Sequence, residues 1–213
     1  MLYAIVALLA VIVDQWVKYW VAGNIPLEST VNELIPGVIS VVNVHNSGAA
    51  FGFLSGGGAR IPFIIICGVF TVAIIIALAT NFISNPLGRW SAVFVMAGGI
   101  GNCIDRILYG YVQDMFMFDF APSFPIFNVA DIFITVFALL FIVMLLAFLI
   151  CVIFTLSAAS RTYRAYADAG LPSDYAPRLR YADRLRASAS VYFSLPFLLC
   201  TLLFAAVMIL EMR

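Results

Sequence analysis

Long apolar runs separated by short polar stretches dominate the chain. Crossing a hydrocarbon layer as a helix takes roughly 20 mostly apolar residues at about 1.5 Å each, and five segments reach that length. The first runs from Leu2 to about Ala22, its charge-free part ending at Val13 before Asp14 and Lys18. Ile61 to Thr80 carries no charge, and a third segment begins at Trp90 and meets Asp105 and Arg106 near its end. The fourth is uncharged from Ile132 to Leu156, and the fifth lies between Arg186 and Glu211, from Val191 to Leu210. The pattern predicts an all-α integral membrane protein. Residues 1–155 form a four-helix transmembrane core, 156–190 a basic segment, and 191–213 an additional C-terminal transmembrane helix.

Composition agrees, with 64% hydrophobic and 10% charged residues and a mean hydropathy of +1.09, against about half hydrophobic in soluble chains. The first run is expected to stay as a helix rather than be removed as a signal peptide. No basic leader precedes it, and it continues into DQWVKYWV instead of a small-residue cleavage site. Basic residues favour cytoplasmic loops. Arg89 follows the second run, and Arg161, Arg164, Arg178, Arg180, Arg184 and Arg186 follow the fourth. Those connections are therefore predicted inside, with loops 23–60 and 110–128 outside. A net charge of zero argues against nucleic acid as a partner.

Within the first outer loop, Ile39 to Val44 is rich in β-branched residues after Pro36-Gly37 and reads as a strand. An open strand edge cannot face hydrocarbon, so this piece is expected as a platform at the outer surface. NSGAAFGFL at 46–54 reads on its own as a turn and an interfacial segment. The second outer loop joins the most polar part of the chain. From Asn102 to Asp131 it holds Asp105, Asp114, Asp119 and Asp131 beside Arg106 and Asn128. Ionisable groups beside membrane spans are costly to retain and mark functional candidates.

Asp131 falls in the first turn of the fourth helix, where a carboxylate also serves as a cap, but Asn128 is the better cap. Asp114 lies in a segment that leaves the membrane surface and returns at Asp131, which can bring the two carboxyls together. Such a pair shares one proton and can supply both the base and the acid for peptide hydrolysis. Asp105 is expected to tie loops and helices together, and Asp119 to be a solvated loop residue. Asp14 and Lys18, spaced i and i+4, are expected to pair on one helix face.

Cys67, Cys103, Cys151 and Cys200 are far apart, without CxxC spacing, and His45 is the only histidine. Structural thiols are therefore expected, with no metal and no cofactor. AGGIGN at 97–102 sits inside a span and follows no strand, so it reads as close helix packing rather than a nucleotide loop.

DQWVK at 14–18, NSGAAFGFL at 46–54, GGIGNCIDR at 98–106 with GYVQD at 110–114, and FNVAD at 127–131 resemble, in order, the motifs of the lipoprotein signal peptidases, or signal peptidase II. The resemblance covers about residues 1–155. It implies four transmembrane helices with a small extracytoplasmic β-rich platform. The implied activity is a membrane aspartic endopeptidase of the bacterial cytoplasmic membrane, with its site toward the extracytoplasmic face. It removes signal peptides from diacylglyceryl-modified prolipoproteins, before the lipidated cysteine. Asp114 and Asp131 match the catalytic pair. Asp14, Lys18, Asn46, Gly48, Asn102, Asp105, Arg106, Asn128 and Ala130 match positions that shape the site or bind substrate. The implied partners are the diacylglyceryl-prolipoprotein and membrane lipid, and the chain is expected to act as a monomer.

The Arg- and Tyr-rich stretch at 157–190 and the fifth span depart from the family, and suit a tether on anionic lipid with an anchor. Two rival readings remain at this point. One is an inactive lipopeptide-binding relative, and the other a small ion- or proton-coupled transporter using paired intramembrane carboxylates.

Overall fold

The computed structural model describes residues 1–48 and 60–169. The element order is α1 (Leu2–Asn24), β1 (Thr30–Ile35), β2 (Ile39–Asn46), α2 (Arg60–Ala79), α3 (Pro86–Leu108), β3 (Val112–Phe118) and α4 (Val129–Asp168). Most of the basic segment, all of the expected fifth span and most of NSGAAFGFL lie outside the described residues.

Among the described residues, four helices are long and apolar enough to cross a membrane. Their outward faces carry large apolar side chains, among them Leu8 and Ile12 on α1, Ile65 and Val72 on α2, and Leu139 and Val143 on α4. In water such a surface would be prohibitive; against lipid tails it costs nothing. Helix α3 is the centre of the bundle, with 61% of its span enclosed against 17–28% for the other three. It packs on α1, α2 and α4. It also starts earlier than the hydropathy pattern predicts. Asn85 caps it by accepting from the Leu87 and Gly88 amides at 2.9 and 3.2 Å, and Pro86 opens the first turn.

Close approach of the helices depends on the small residues of AGGIGN. A Cβ on Gly98 would lie 2.5 Å from the Ala130 carbonyl oxygen, and one on Gly101 2.5 Å from Oδ2 of Asp14. Glycine here lets α3 touch the start of α4 and the carboxylate of α1. Gly98→Ala would have to displace backbone and is expected to cost about 2–3 kcal/mol. Gly68→Ala on α2, where a Cβ meets nothing within 4 Å, should be neutral or slightly stabilising. Thermal unfolding of the two variants in detergent checks this contrast, and equal midpoints would refute it.

At one end of the bundle the strands form an antiparallel sheet in the order β1-β2-β3. The strand expected at 39–44 is β2, and β1 joins it through a turn in which Gly37 takes φ +70° and the Val38 amide donates to the Ile35 carbonyl at 2.9 Å. The outer-loop segment at 112–118, expected as loop, is instead β3. Its residues Val112 to Met115 are all buried, so it lacks the polar alternation that marks a half-exposed strand. Met115 packs with Val21, Ile25 and Val41 beneath the sheet, which fixes the sheet to α1. Gly110, at φ +85°, turns the chain from α3 into β3.

The chain beyond β3 folds back on itself. Phe127 bridges to Phe116 through main-chain hydrogen bonds of 2.8 and 3.0 Å, and the rings of Phe116, Phe118 and Phe124 pack around Phe127. This closure sets the first residues of α4 beside the middle of β3. Helix α4 then runs through Asp168, twelve residues past the end of the expected apolar run at Leu156.

Candidate functional site

Every described polar side chain that the sequence nominated, Asp119 excepted, converges where α1, α3 and the start of α4 meet the sheet. Asp14, Lys18, Asn102, Asp105, Arg106, Asp114, Asn128 and Asp131 are all buried. Burial on this scale requires that each group find a partner, and the partners account for the arrangement.

Asn128 caps α4 in a reciprocal box. Its Oδ1 accepts from the Asp131 amide at 3.0 Å, and the Asp131 carboxylate Oδ2 accepts from the Asn128 amide at 2.9 Å. Its Nδ2 is left free to donate to Oδ1 of Asp114 at 2.7 Å. One residue therefore holds both carboxylates. Each carboxylate is steadied from its other side by a further asparagine: Asn102 donates to Oδ1 of Asp131 at 2.8 Å, and Asn46 to Oδ2 of Asp114 at 3.0 Å. Asn46 is itself oriented by the Gly48 amide, which donates to its Oδ1 at 2.9 Å with Gly48 at φ +74°.

Lys18 sits behind this pair. Its ammonium contacts Asp14 Oδ2, Asp105 Oδ2 and Asn102 Oδ1, each at 2.9 Å, so all three of its donors are used. The contact with Asn102 fixes that amide with its nitrogen toward Asp131. The expected Asp14–Lys18 pair is present, and Asp105 ties elements together as anticipated, accepting from the Gln113 amide at 3.2 Å. Oδ1 of Asp14 accepts from the Ala130 amide at 2.8 Å, one of the N–H groups a helix start leaves unpaired. Ala130 matters through its backbone, pressed under α3. Arg106 lies over the Phe63 ring at 4.9 Å and donates to the Asn102 carbonyl at 3.4 Å.

Three neutral amides escaped the sequence reading. Gln15 donates to Asp14 Oδ2, the Gly101 carbonyl and Asp105 Oδ1. Gln113 reaches Asn43, which in turn donates to the Ile25 carbonyl at the end of α1. All three lie inside or next to segments singled out for other residues, and proximity to the charged positions was the one available signal. Asp119 corrects an expectation: it is half-buried rather than solvated, with Oδ2 enclosed and unpartnered.

Electrostatically, Asp114 is the unusual group. Burial first, and the neighbouring Asp131 carboxylate second, push its carboxyl from 3.8 up to about 7, against the opposing hydrogen bonds of Asn128 and Asn46. Two carboxyls so placed cannot both ionise cheaply. No group of three or more metal-ligating side chains occurs among the described residues.

The fold and site define a multi-pass membrane protein with a paired-carboxylate centre at one end of its helix bundle. A family model described as signal peptidase (SPase) II matches residues 6–148, and the chain belongs to that family. Proteins named lipoprotein signal peptidase are similar to it. One from Streptococcus thermophilus is 43% identical over 141 residues, covering 66% of this chain and 90% of the relative. One from Enterococcus faecalis is 43% identical over 129 residues, covering 61% and 78%. One from Neisseria meningitidis is 36% identical over 140 residues, covering 65% and 85%. Two solved structures described as bacterial membrane enzymes align with TM-scores of 0.61 and 0.63 at 33% identity. They cover 68% of this chain and 87% and 92% of theirs.

Proposed function

We propose that the chain removes signal peptides from bacterial prolipoproteins as an aspartic endopeptidase, with Asp114 and Asp131 as its catalytic pair. The observation that carries this reading is Asn128, which donates to both carboxylates at once. Asp131, in the first turn of α4 where the helix N-terminus favours negative charge, is the ionised member and takes a proton from the attacking water. Asp114 carries the shared proton and delivers it to the scissile carbonyl oxygen. The resulting gem-diol collapses as a proton passes to the leaving nitrogen, and the pair returns to its starting state.

The diacylglyceryl-modified cysteine is the substrate feature that suits a site at the end of a bundle. Its acyl chains stay in lipid while the bond before the cysteine meets water and the carboxyl pair. Asn46, which donates to Asp114, and Arg106, which donates to the Asn102 carbonyl, position the substrate. Arg89, Arg161 and Arg164 lie at the bundle end opposite the sheet, which favours that end as cytoplasmic and the site as facing outward from the inner membrane. Purified protein incubated with a diacylglyceryl-modified precursor peptide should release a fragment beginning at the lipidated cysteine and leave the unlipidated peptide intact. Binding without cleavage would favour the inactive relative, and ion flux without cleavage the transporter; either would overturn the proposal.

The proton on Asp114 also sets a pH dependence. Its folded value lies above its unfolded one, so its contribution to stability is fully present below about pH 4 and is lost as pH rises through about 7. Catalysis needs that same proton. With the lipidated peptide, kcat/KM should fall about tenfold per pH unit above roughly pH 7. A profile that stays flat to pH 9 would sink the shared-proton mechanism.

A further inference from the structure

Cys67 and Cys103 belong to none of the polar network described above, yet they meet between α2 and α3. The Cys67 thiol docks on the Gly99 carbonyl oxygen at 3.2 Å. In an α-helix that carbonyl is the acceptor for the amide four residues on, which is that of Cys103. Helical side chains tilt toward the N-terminus, so the Cys103 side chain leans back over the same spot. This sets the two thiols beside one another, with the Arg106 guanidinium within electrostatic reach of both. Cys67 is buried and Cys103 half-buried, and both are free thiols in this structure.

We infer that Cys67 and Cys103 form a dithiol redox site that closes as a disulfide, linking α2 to α3. The oxidant is a low-molecular-weight disulfide or the disulfide of an oxidoreductase. The Cys103 thiolate, more accessible, attacks one sulfur of the oxidant, forming a mixed disulfide and releasing one thiolate. The Cys67 thiolate then attacks the Cys103 sulfur and expels the second. The two protons lost by the cysteines leave with the two released thiols, and the cysteine pair has given up two electrons. Closure brings the two sulfurs to about 2.05 Å. Both residues lie toward the sheet end of their helices. That end faces an oxidising compartment if the site faces outward as proposed, and such compartments are where disulfides persist.

The consequence falls on α2, which docks chiefly on α3. A covalent link would hold this peripheral helix to the one that carries Asn102 and Asp105.

The test treats the full chain in membranes with 2,2′-dithiodipyridine, in a background of Cys151→Ser and Cys200→Ser. The expected result is release of two thiopyridones per chain, no retained pyridyl adduct, and a Cys67–Cys103 linked peptide by mass spectrometry. With Cys67→Ser the adduct should remain on Cys103. Two stable adducts, two unmodified thiols, or linkage between separate chains would overturn the inference. Peptide mapping of the parent decides the matter even if the Cys67→Ser chain fails to fold. The outcome is independent of peptidase activity.

Discussion

Asp114→Asn and Asp131→Asn should each leave a folded protein whose kcat/KM toward a lipidated precursor peptide is at least about a thousandfold below the parent's. An asparagine keeps the shape of the carboxylate, and each aspartate touches its surroundings mainly as a hydrogen-bond acceptor. Asp114 meets Asn128 and Asn46; Asp131 meets Asn102 and the Asn128 amide. What the substitution removes is the exchangeable proton and the charge. Neither remaining carboxyl can act as both base and acid, so losses from the two single variants should not add in the double variant. The measurement is a steady-state cleavage assay beside thermal unfolding of each variant. Cleavage within tenfold of the parent by either folded variant would reject the pair.

Lys18→Met should produce the largest loss of stability, about 3–5 kcal/mol. Methionine fills the stem's volume, but Asp14 and Asp105 would face each other across a buried space without the ammonium that contacts both at 2.9 Å. Asn102 would also lose the donor that orients its amide toward Asp131, so activity should fall in whatever fraction remains folded. Lys18→Arg retains the charge but presents a planar fork where three convergent acceptors need a compact ammonium, and should fall between the two. Thermal unfolding in one detergent ranks the three proteins. A Lys18→Met midpoint within a degree of the parent's would contradict the role of this hub.

The four helices were legible because hydrocarbon imposes a length and a composition that few other contexts share. Their ends were less so: α3 begins at the Asn85-Pro86 cap, a local signal that a hydropathy run starting at Trp90 passes over. Strand β3 was hidden because both of its faces are buried around Asp114, and VQDMFMF carries no alternation to expose its period. At the site, the i, i+4 spacing announced Asp14 with Lys18. Asp105 and Asn102, which complete the Lys18 shell, come from another helix, 84 or more positions away along the chain. Gln15, Asn43 and Gln113 stayed unnoticed for a different reason. An uncharged amide in a polar loop or beside a charged residue raises no alarm in hydropathy, although each bridges elements in the fold. The meeting of Asp114 with Asp131 was foreseeable from a chain that exits and re-enters one surface. The Phe116–Phe127 bridge that enforces it was not.

Helix α4 is a single rod of 40 residues, about 60 Å from end to end, of which a bilayer core about 30 Å thick covers roughly half. Asp131 stands in the first turn at its upper tip. A rod of that length is a lever, and a tilt of about 10° at the membrane moves its far tip sideways by about 10 Å. Small reorientations around the carboxyl pair are thereby magnified at the opposite end, where a fluorophore or spin label near Asp168 would register them without touching the site.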